Sequence, residues 1–298
     1  MNLVAMVCLV AAAIAVYLGI MIHRQMGGSA WMNAPAGGAA PGDRVPQEGF
    51  FSNTLAVPLA FGVAWVLKDV WWALGFVFHF TCHELGHSLV AWLGGYWSLP
   101  LFVGFALVSG EPSYVVIAFM FAVEGAGLWL AVRRRSAPLF ILCAALAAGQ
   151  VFLSFLTGKP EWSAWMHFGG CAGELVLPVL LIVTYYLRLP DLLRWDFFRY
   201  PVMVAAMCSL IAAGNHWSQA SADPETGILW GESITKSRDT GNDMVKLVRE
   251  SGWTPSRIAD RYADLTRVCS GGVVVCYLWF LFQTPGRRRE DAPVGDGA

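Results

Sequence analysis

Long apolar segments separated by short polar ones make up most of this chain. Segments at 3–22, 114–132, 139–157, 165–187, 200–215 and 268–282 are each long enough, or nearly so, to cross a bilayer as a helix. A further apolar stretch over 55–93 is interrupted by Lys68 and Asp69, and we expect it to fold back there. The pattern predicts an all-α polytopic membrane protein with seven to nine transmembrane helices, some short or re-entrant.

Composition supports this prediction and narrows the function classes. Of the 298 residues, 56% are hydrophobic and 14% are charged, whereas soluble domains carry about a quarter charged residues. These values exclude a disordered chain and a typical cytosolic enzyme. The seven cysteines are scattered singly, which excludes a disulfide scaffold. With a net charge of -1 the chain has no global basic field, so we expect a lipid bilayer and no nucleic acid among its partners.

Three groups of arginines predict the orientation in the membrane. They are residues 133–135, residues 188, 194 and 199, and residues 287–289. Basic residues accumulate on the cytoplasmic side of membrane proteins. We therefore expect an outside N-terminus and a cytoplasmic C-terminus, in a protein integral to a bacterial inner (plasma) membrane.

The distribution of charge divides the chain into four parts. We expect a membrane helix bundle over 1–215, a charged extracytoplasmic helical segment over 216–267, a last transmembrane helix over 268–283, and a basic, then disordered, cytoplasmic tail over 284–298. In the charged segment, 239–251 has the pattern of a short amphipathic helix. Thr254-Pro255 is a typical N-cap and first-turn pair, so a second helix begins there and runs into the last span. The segment is either a cap over a site in the membrane or a folded loop without chemistry.

His83-Glu84-Leu85-Gly86-His87 is an H-E-x-x-H motif within the apolar stretch. Residues four apart on a helix face the same side, so both imidazoles can bind one zinc ion. Glu84 is then placed to act as the general base that activates water at the zinc. Ionisable groups at membrane depth are costly and mark functional sites. The motif predicts a zinc site with His83 and His87 as ligands.

Residues 80–95, Phe-Thr-Cys-His-Glu-Leu-Gly-His-Ser-Leu-Val-Ala-Trp-Leu-Gly-Gly, resemble the active-site helix of site-2-protease-type intramembrane zinc metalloproteases. The resemblance implies His83 and His87 as zinc ligands and Glu84 as general base. In that family an aspartate of a Leu-Asp-Gly motif on a later helix supplies the third ligand. The only Asp-Gly here, Asp296-Gly297, lies in the polar tail, so the third ligand has to come from elsewhere.

Glu174 is the predicted third ligand, and Asp223 and Asp243 are its rivals. Glu174 lies in an apolar segment and shares a helix face with His167. The small residues Gly170 and Cys171 between them would let the motif helix approach. Asp223 follows a predicted span, and Asp243 opens a predicted helix, so either could fold back over the site. Helix capping or a turn is the alternative role for both aspartates.

These features predict a hydrolase: an integral-membrane zinc-dependent endopeptidase that cuts membrane-protein or peptide substrates. Two alternatives stay open. One is a catalytically silent metal-binding membrane regulator or scaffold, which the missing Leu-Asp-Gly motif favours. The other is a CAAX-type membrane metalloprotease, a class that also has an H-E-x-x-H motif and a later glutamate ligand.

Overall fold

The computed structural model describes residues 50–71, 75–101, 105–133, 137–186, 199–228 and 242–283. In chain order the elements are α1 (Phe50–Leu67), α2 (Phe76–Leu93), β1 (Ser98–Leu101), β2 (Phe105–Val108), α3 (Tyr114–Arg133), α4 (Ala137–Val151), a π-helical turn (Phe152–Leu156), α5 (Lys159–Thr184), α6 (Arg199–Ala222), α7 (Pro224–Gly227), α8 (Asp243–Arg249) and α9 (Pro255–Gln283).

The described part of the chain is mostly helical, as expected for a polytopic membrane protein. Within the described ranges, four segments are long and apolar enough to cross a bilayer: Tyr114–Arg133, Leu139–Leu156, Lys159–Thr184 and Pro255–Phe282. This supports the predicted membrane character but does not confirm seven to nine spans. The predicted first helix over 3–22 and the cytoplasmic tail over 284–298 lie outside the described residues.

Two local predictions about helix ends agree with the structure. Helix α1 ends at Leu67, and the Lys68 ammonium pairs with the Asp69 carboxylate at 2.6 Å in the turn that follows. Helix α9 begins at Pro255, where the Thr254 hydroxyl accepts the backbone N–H of Arg257, and it continues as one helix to Gln283.

The described residues form two compact units. The first comprises 87–101, 105–133 and 137–166, and its buried centre stacks Tyr96 on Trp162 with ring centroids 3.6 Å apart. Helices α3 and α4 pack against each other, and the small Gly127 accommodates Cys143 at their contact.

The first unit also corrects the all-α prediction. Ser98–Leu101 and Phe105–Val108 pair as an antiparallel hairpin, with Ser98 opposite Val108. The hairpin is tied to the end of α2, because the Ser98 hydroxyl donates to the Ser88 hydroxyl at 2.9 Å. Pro100 favours this extended conformation, since it lacks the N–H that a helix interior requires.

The second unit comprises 50–71, 75–86, 167–186, 199–228 and 242–283. Its core is an aromatic stack in which the fully buried Tyr262 lies between Phe168 and Trp217, at centroid distances of 4.4 and 4.1 Å. The Tyr262 hydroxyl also donates to the Phe168 carbonyl at 3.0 Å. This stack joins α5, α6 and α9, so Tyr262 ties the predicted charged segment to α5 of the predicted membrane bundle.

Glycines bring α2 and α5 into close approach in the second unit. A Cβ atom on Gly86 would meet the Gly169 carbonyl oxygen and lie 2.9 Å from the Cα of Gly173. A Cβ on Gly173 would meet the Cys82 carbonyl oxygen and lie 2.7 Å from the Cα of Gly86. Both helices present backbone at the contact, so side chains on either helix reach the other. The motif helix is the neighbour predicted for Glu174. The prediction named Gly170 and Cys171 as the small residues, whereas Gly169 and Gly173 are the residues found at the contact.

We expect Gly173→Ala to destabilise the protein, because the added methyl group would force two helix backbones apart. Overpacking of a core usually costs about 1–3 kcal/mol. Thermal unfolding of the purified protein in detergent would measure the change. Gly271→Ala is the matched control, because a Cβ there meets nothing within 4 Å. Equal melting temperatures for the two variants would contradict the close approach.

Candidate metal centre

The H-E-x-x-H motif lies on α2, as its spacing predicts. His83 and His87 are one helical turn apart on this continuous helix, and Glu84 lies between them. Glu84 is 3% exposed and His87 is 7% exposed, so both polar side chains are buried. Such burial is unfavourable for polar side chains unless the fold supplies partners.

The imidazole of His83 has a carboxylate at each of its nitrogens. Nδ1–H donates to Oε1 of Glu174 at 2.6 Å, and Nε2 faces Oδ2 of Asp243 at 3.1 Å. Two of the acidic residues considered as third ligands therefore contact the same ring, on opposite edges. In histidine metal sites, a carboxylate on one ring nitrogen fixes the ring so that the other nitrogen faces the metal.

Glu174 reaches the ring from α5 across the glycine contact. Its second oxygen, Oε2, lies 3.2 Å from Nε2 of His79, one turn before His83. The thiol of Cys171 lies 3.9 Å from Nδ1 of His83, and the donor atoms of His83, Cys171 and Glu174 all lie within 4.8 Å of one another. Possible metal-donor atoms therefore cluster at the Nδ1 edge of the His83 ring as well as at its Nε2 edge, where Asp243 lies.

Asp243 reaches the ring from α8, within the charged segment. Asn242 is the N-cap of this helix, and its side-chain oxygen accepts the backbone N–H of Met244 at 2.9 Å. Asn242 therefore caps this helix, and Asp243 does not have the capping role that its position suggested. Its carboxylate contacts two histidines, His83 through Oδ2 and His167 through Oδ1. Of the three candidates, it is the one that faces Nε2 of His83.

His87 is oriented separately, by a backbone group of the first unit. Its Nδ1–H donates to the carbonyl oxygen of Met166 at 2.7 Å. A carbonyl on Nδ1 fixes the tautomer with its lone pair on Nε2, which is the usual state of a metal-binding histidine.

Asp223 does not join this cluster. Its Oδ2 accepts the hydroxyl hydrogen of Thr226 at 2.6 Å, immediately before the short helix α7. Asp223 thus occupies the N-cap position of α7, in keeping with the alternative role of helix capping or a turn, although its side chain bonds the Thr226 hydroxyl and no backbone N–H of the helix.

Sequence reasoning missed the roles of Met166 and His167. Only a weak signal marked His167, which lies seven residues before Glu174 and so shares its helix face. Nothing in the sequence marked Met166, because its contribution is a backbone carbonyl that any residue carries.

The candidate donor set, which consists of His83, His87 and a carboxylate, fits zinc. Two imidazoles and a carboxylate are a common protein ligand set for a catalytic zinc ion, which keeps a further position for water. The polar partners on Nδ1 of both histidines match the orienting groups that such sites require.

Comparisons with known proteins add nothing to this geometry. No protein-family profile matches the chain, and no match was found among curated proteins or solved structures.

Proposed function

We propose that this protein is an integral-membrane zinc-dependent endopeptidase, with His83, His87 and Asp243 as zinc ligands and Glu84 as general base. The observation that carries the proposal is the His83 ring, held at Nδ1 by Glu174 with Asp243 at Nε2. His87 follows one turn later on the same helix, so helical geometry brings its ring to the same side. The resemblance of residues 80–95 to site-2-protease-type active-site helices supports the same assignment.

The choice of Asp243 over Glu174 follows from the two edges of the His83 ring. Both histidines have an acceptor at Nδ1, namely the Glu174 carboxylate and the Met166 carbonyl. Acceptors at Nδ1 direct both Nε2 atoms toward the metal. Asp243 is the carboxylate on that side of His83, which makes Glu174 an orienting partner of His83.

Zinc bound in this set would polarise the substrate carbonyl and make water acidic enough to lose a proton near neutral pH. Glu84 would take the proton of the attacking water and pass it to the departing amine. Its burial supports this role, because charge interactions are stronger where bulk water is excluded. The substitution Glu84→Gln replaces the basic oxygen with an amide, so the variant would still bind the water but could not take its proton.

Four bilayer-length apolar segments support a substrate that is itself a membrane protein or membrane-associated peptide. We propose that the arginines at 133–135 and 199 lie on the cytoplasmic side and that α6 also crosses the bilayer, which would put the charged segment over 216–267 on the extracytoplasmic side. Asp243 would then reach the metal from outside the membrane, on a segment that caps the site.

Metal analysis of the purified protein tests the proposal directly. We expect about one zinc per wild-type chain and none above background in His83→Ala. Membrane vesicles containing the wild-type protein and a library of bilayer-spanning peptides should yield new termini by mass spectrometry. Zinc bound without any cleavage would favour the silent regulator, and a wild-type chain without zinc would refute the metal site.

A further inference from the structure

His167 is a buried histidine on α5 that is not among the proposed zinc ligands. Its side chain is 5% exposed, and its Nδ1–H donates to Oδ1 of Asp243 at 2.9 Å. Burying an imidazole without a hydrogen bond is costly, so this bond with Asp243 compensates for its burial.

The two oxygens of Asp243 have different partners. Oδ1 accepts from His167, whereas Oδ2 lies 3.1 Å from Nε2 of His83. A carboxylate can rotate about its Cβ–Cγ bond, and rotation would turn the lone pairs of Oδ2 away from the metal position. A donor held on Oδ1 prevents that rotation. The Asn242 cap fixes the backbone from which the carboxylate projects.

We propose that His167 is a positioning residue, which holds the Asp243 carboxylate in the orientation that binds zinc. The inference rests on the proposed function, because it assigns a role within the same metal site. Each of the three proposed ligands then has a hydrogen-bond partner on α5. These partners are Met166 for His87, Glu174 for His83, and His167 for Asp243.

Replacement of His167 separates a hydrogen-bond role from a packing role. His167→Leu keeps most of the volume and removes the donor, whereas His167→Asn retains an N–H in a smaller side chain. Loss of an orienting partner typically lowers metal affinity 10- to 100-fold. We expect a loss of about that size in His167→Leu and a substantial recovery in His167→Asn. A residue that only fills space would give the opposite order.

Zinc affinity would be measured on the full-length protein in detergent, by competition with a chelating dye. Ser221→Ala is the matched control, because it removes a hydrogen bond to a different aspartate, Asp260, at 2.9 Å. Its zinc affinity should equal that of the wild type. Thermal unfolding of each metal-free variant identifies any loss of affinity that comes from unfolding.

A double-mutant cycle with Asp243→Ala completes the test. Because His167 acts through Asp243, His167→Leu should lower affinity in the wild type and have little further effect in Asp243→Ala. Equal losses in both backgrounds, or wild-type affinity in His167→Leu, would overturn the inference and leave the proposed function standing. A wild-type protein without zinc affinity would overturn both.

Discussion

Glu84→Gln is expected to lower peptide hydrolysis by about 100- to 10,000-fold, the usual contribution of a general base. Glutamine has nearly the same shape as glutamate, so it fits the buried site, but it cannot accept the proton of the attacking water. Zinc content should remain at the wild-type value, because His83 and His87 are unchanged. Activity would therefore be lost without loss of metal, which is the signature of a base and not of a ligand.

The assay compares wild-type and Glu84→Gln protein in the same vesicles with the same bilayer-spanning peptides. New termini are quantified by mass spectrometry, and zinc is measured on the same preparations. His79→Gln is a useful comparison variant, because His79 contacts Glu174, which lies at the Nδ1 edge of the His83 ring. We expect this substitution to lower activity less than Glu84→Gln does. Cleavage of the same bonds at similar rates by wild type and Glu84→Gln would show that Glu84 is not the base.

Asp243→Ala is expected to remove more zinc affinity than Glu174→Ala. In the proposed site Asp243 is the ligand beside Nε2 of His83, so its loss would remove a ligand. Glu174 bonds Nδ1 of the same ring, so its loss removes an orienting partner and should cost about 10- to 100-fold. The difference between the two variants thus identifies the third ligand.

Two further variants make this comparison decisive. Asp223→Ala removes a carboxylate that contacts Thr226, so it should bind zinc like the wild type. Cys171→Ser tests the other edge of the ring, where His83, Cys171 and Glu174 form a possible donor set. If zinc were lost in Cys171→Ser and Glu174→Ala but retained in Asp243→Ala, the metal would be on the Nδ1 edge and our assignment would be wrong.

The local features of the fold were predictable because they depend on neighbouring residues. The α-helical H-E-x-x-H segment, the helix end at Leu67 and the start of α9 at Pro255 follow from spacing, charge and capping. The hairpin from Ser98 to Val108 was missed. Its strands are four residues each, and so short an apolar run gives no reliable period.

The candidate site was only partly predictable, since its members come from distant parts of the chain. Small residues near Glu174 predicted a close helix neighbour, and α2 is that neighbour. The prediction named Gly170 and Cys171, whereas Gly169 and Gly173 are the residues found at the contact. The role of the Glu174 carboxylate at this contact could not be predicted from the sequence. The sequence is the same whether Glu174 is a metal ligand or a hydrogen-bond partner of Nδ1. The two roles differ only in which edge of the His83 ring the carboxylate approaches.

The sequence by itself determined a mostly helical chain with apolar segments of bilayer length, and two histidines and a glutamate within about one turn of one helix. Apolar length and i, i+4 spacing are local quantities, so no packing is needed to infer them. Only the tertiary structure decided which carboxylate faces which nitrogen of His83, and that Asp243, 160 residues later, comes to Nε2. Spacing cannot determine such a contact, because the packing of α8 and α5 in the second unit brings these groups together.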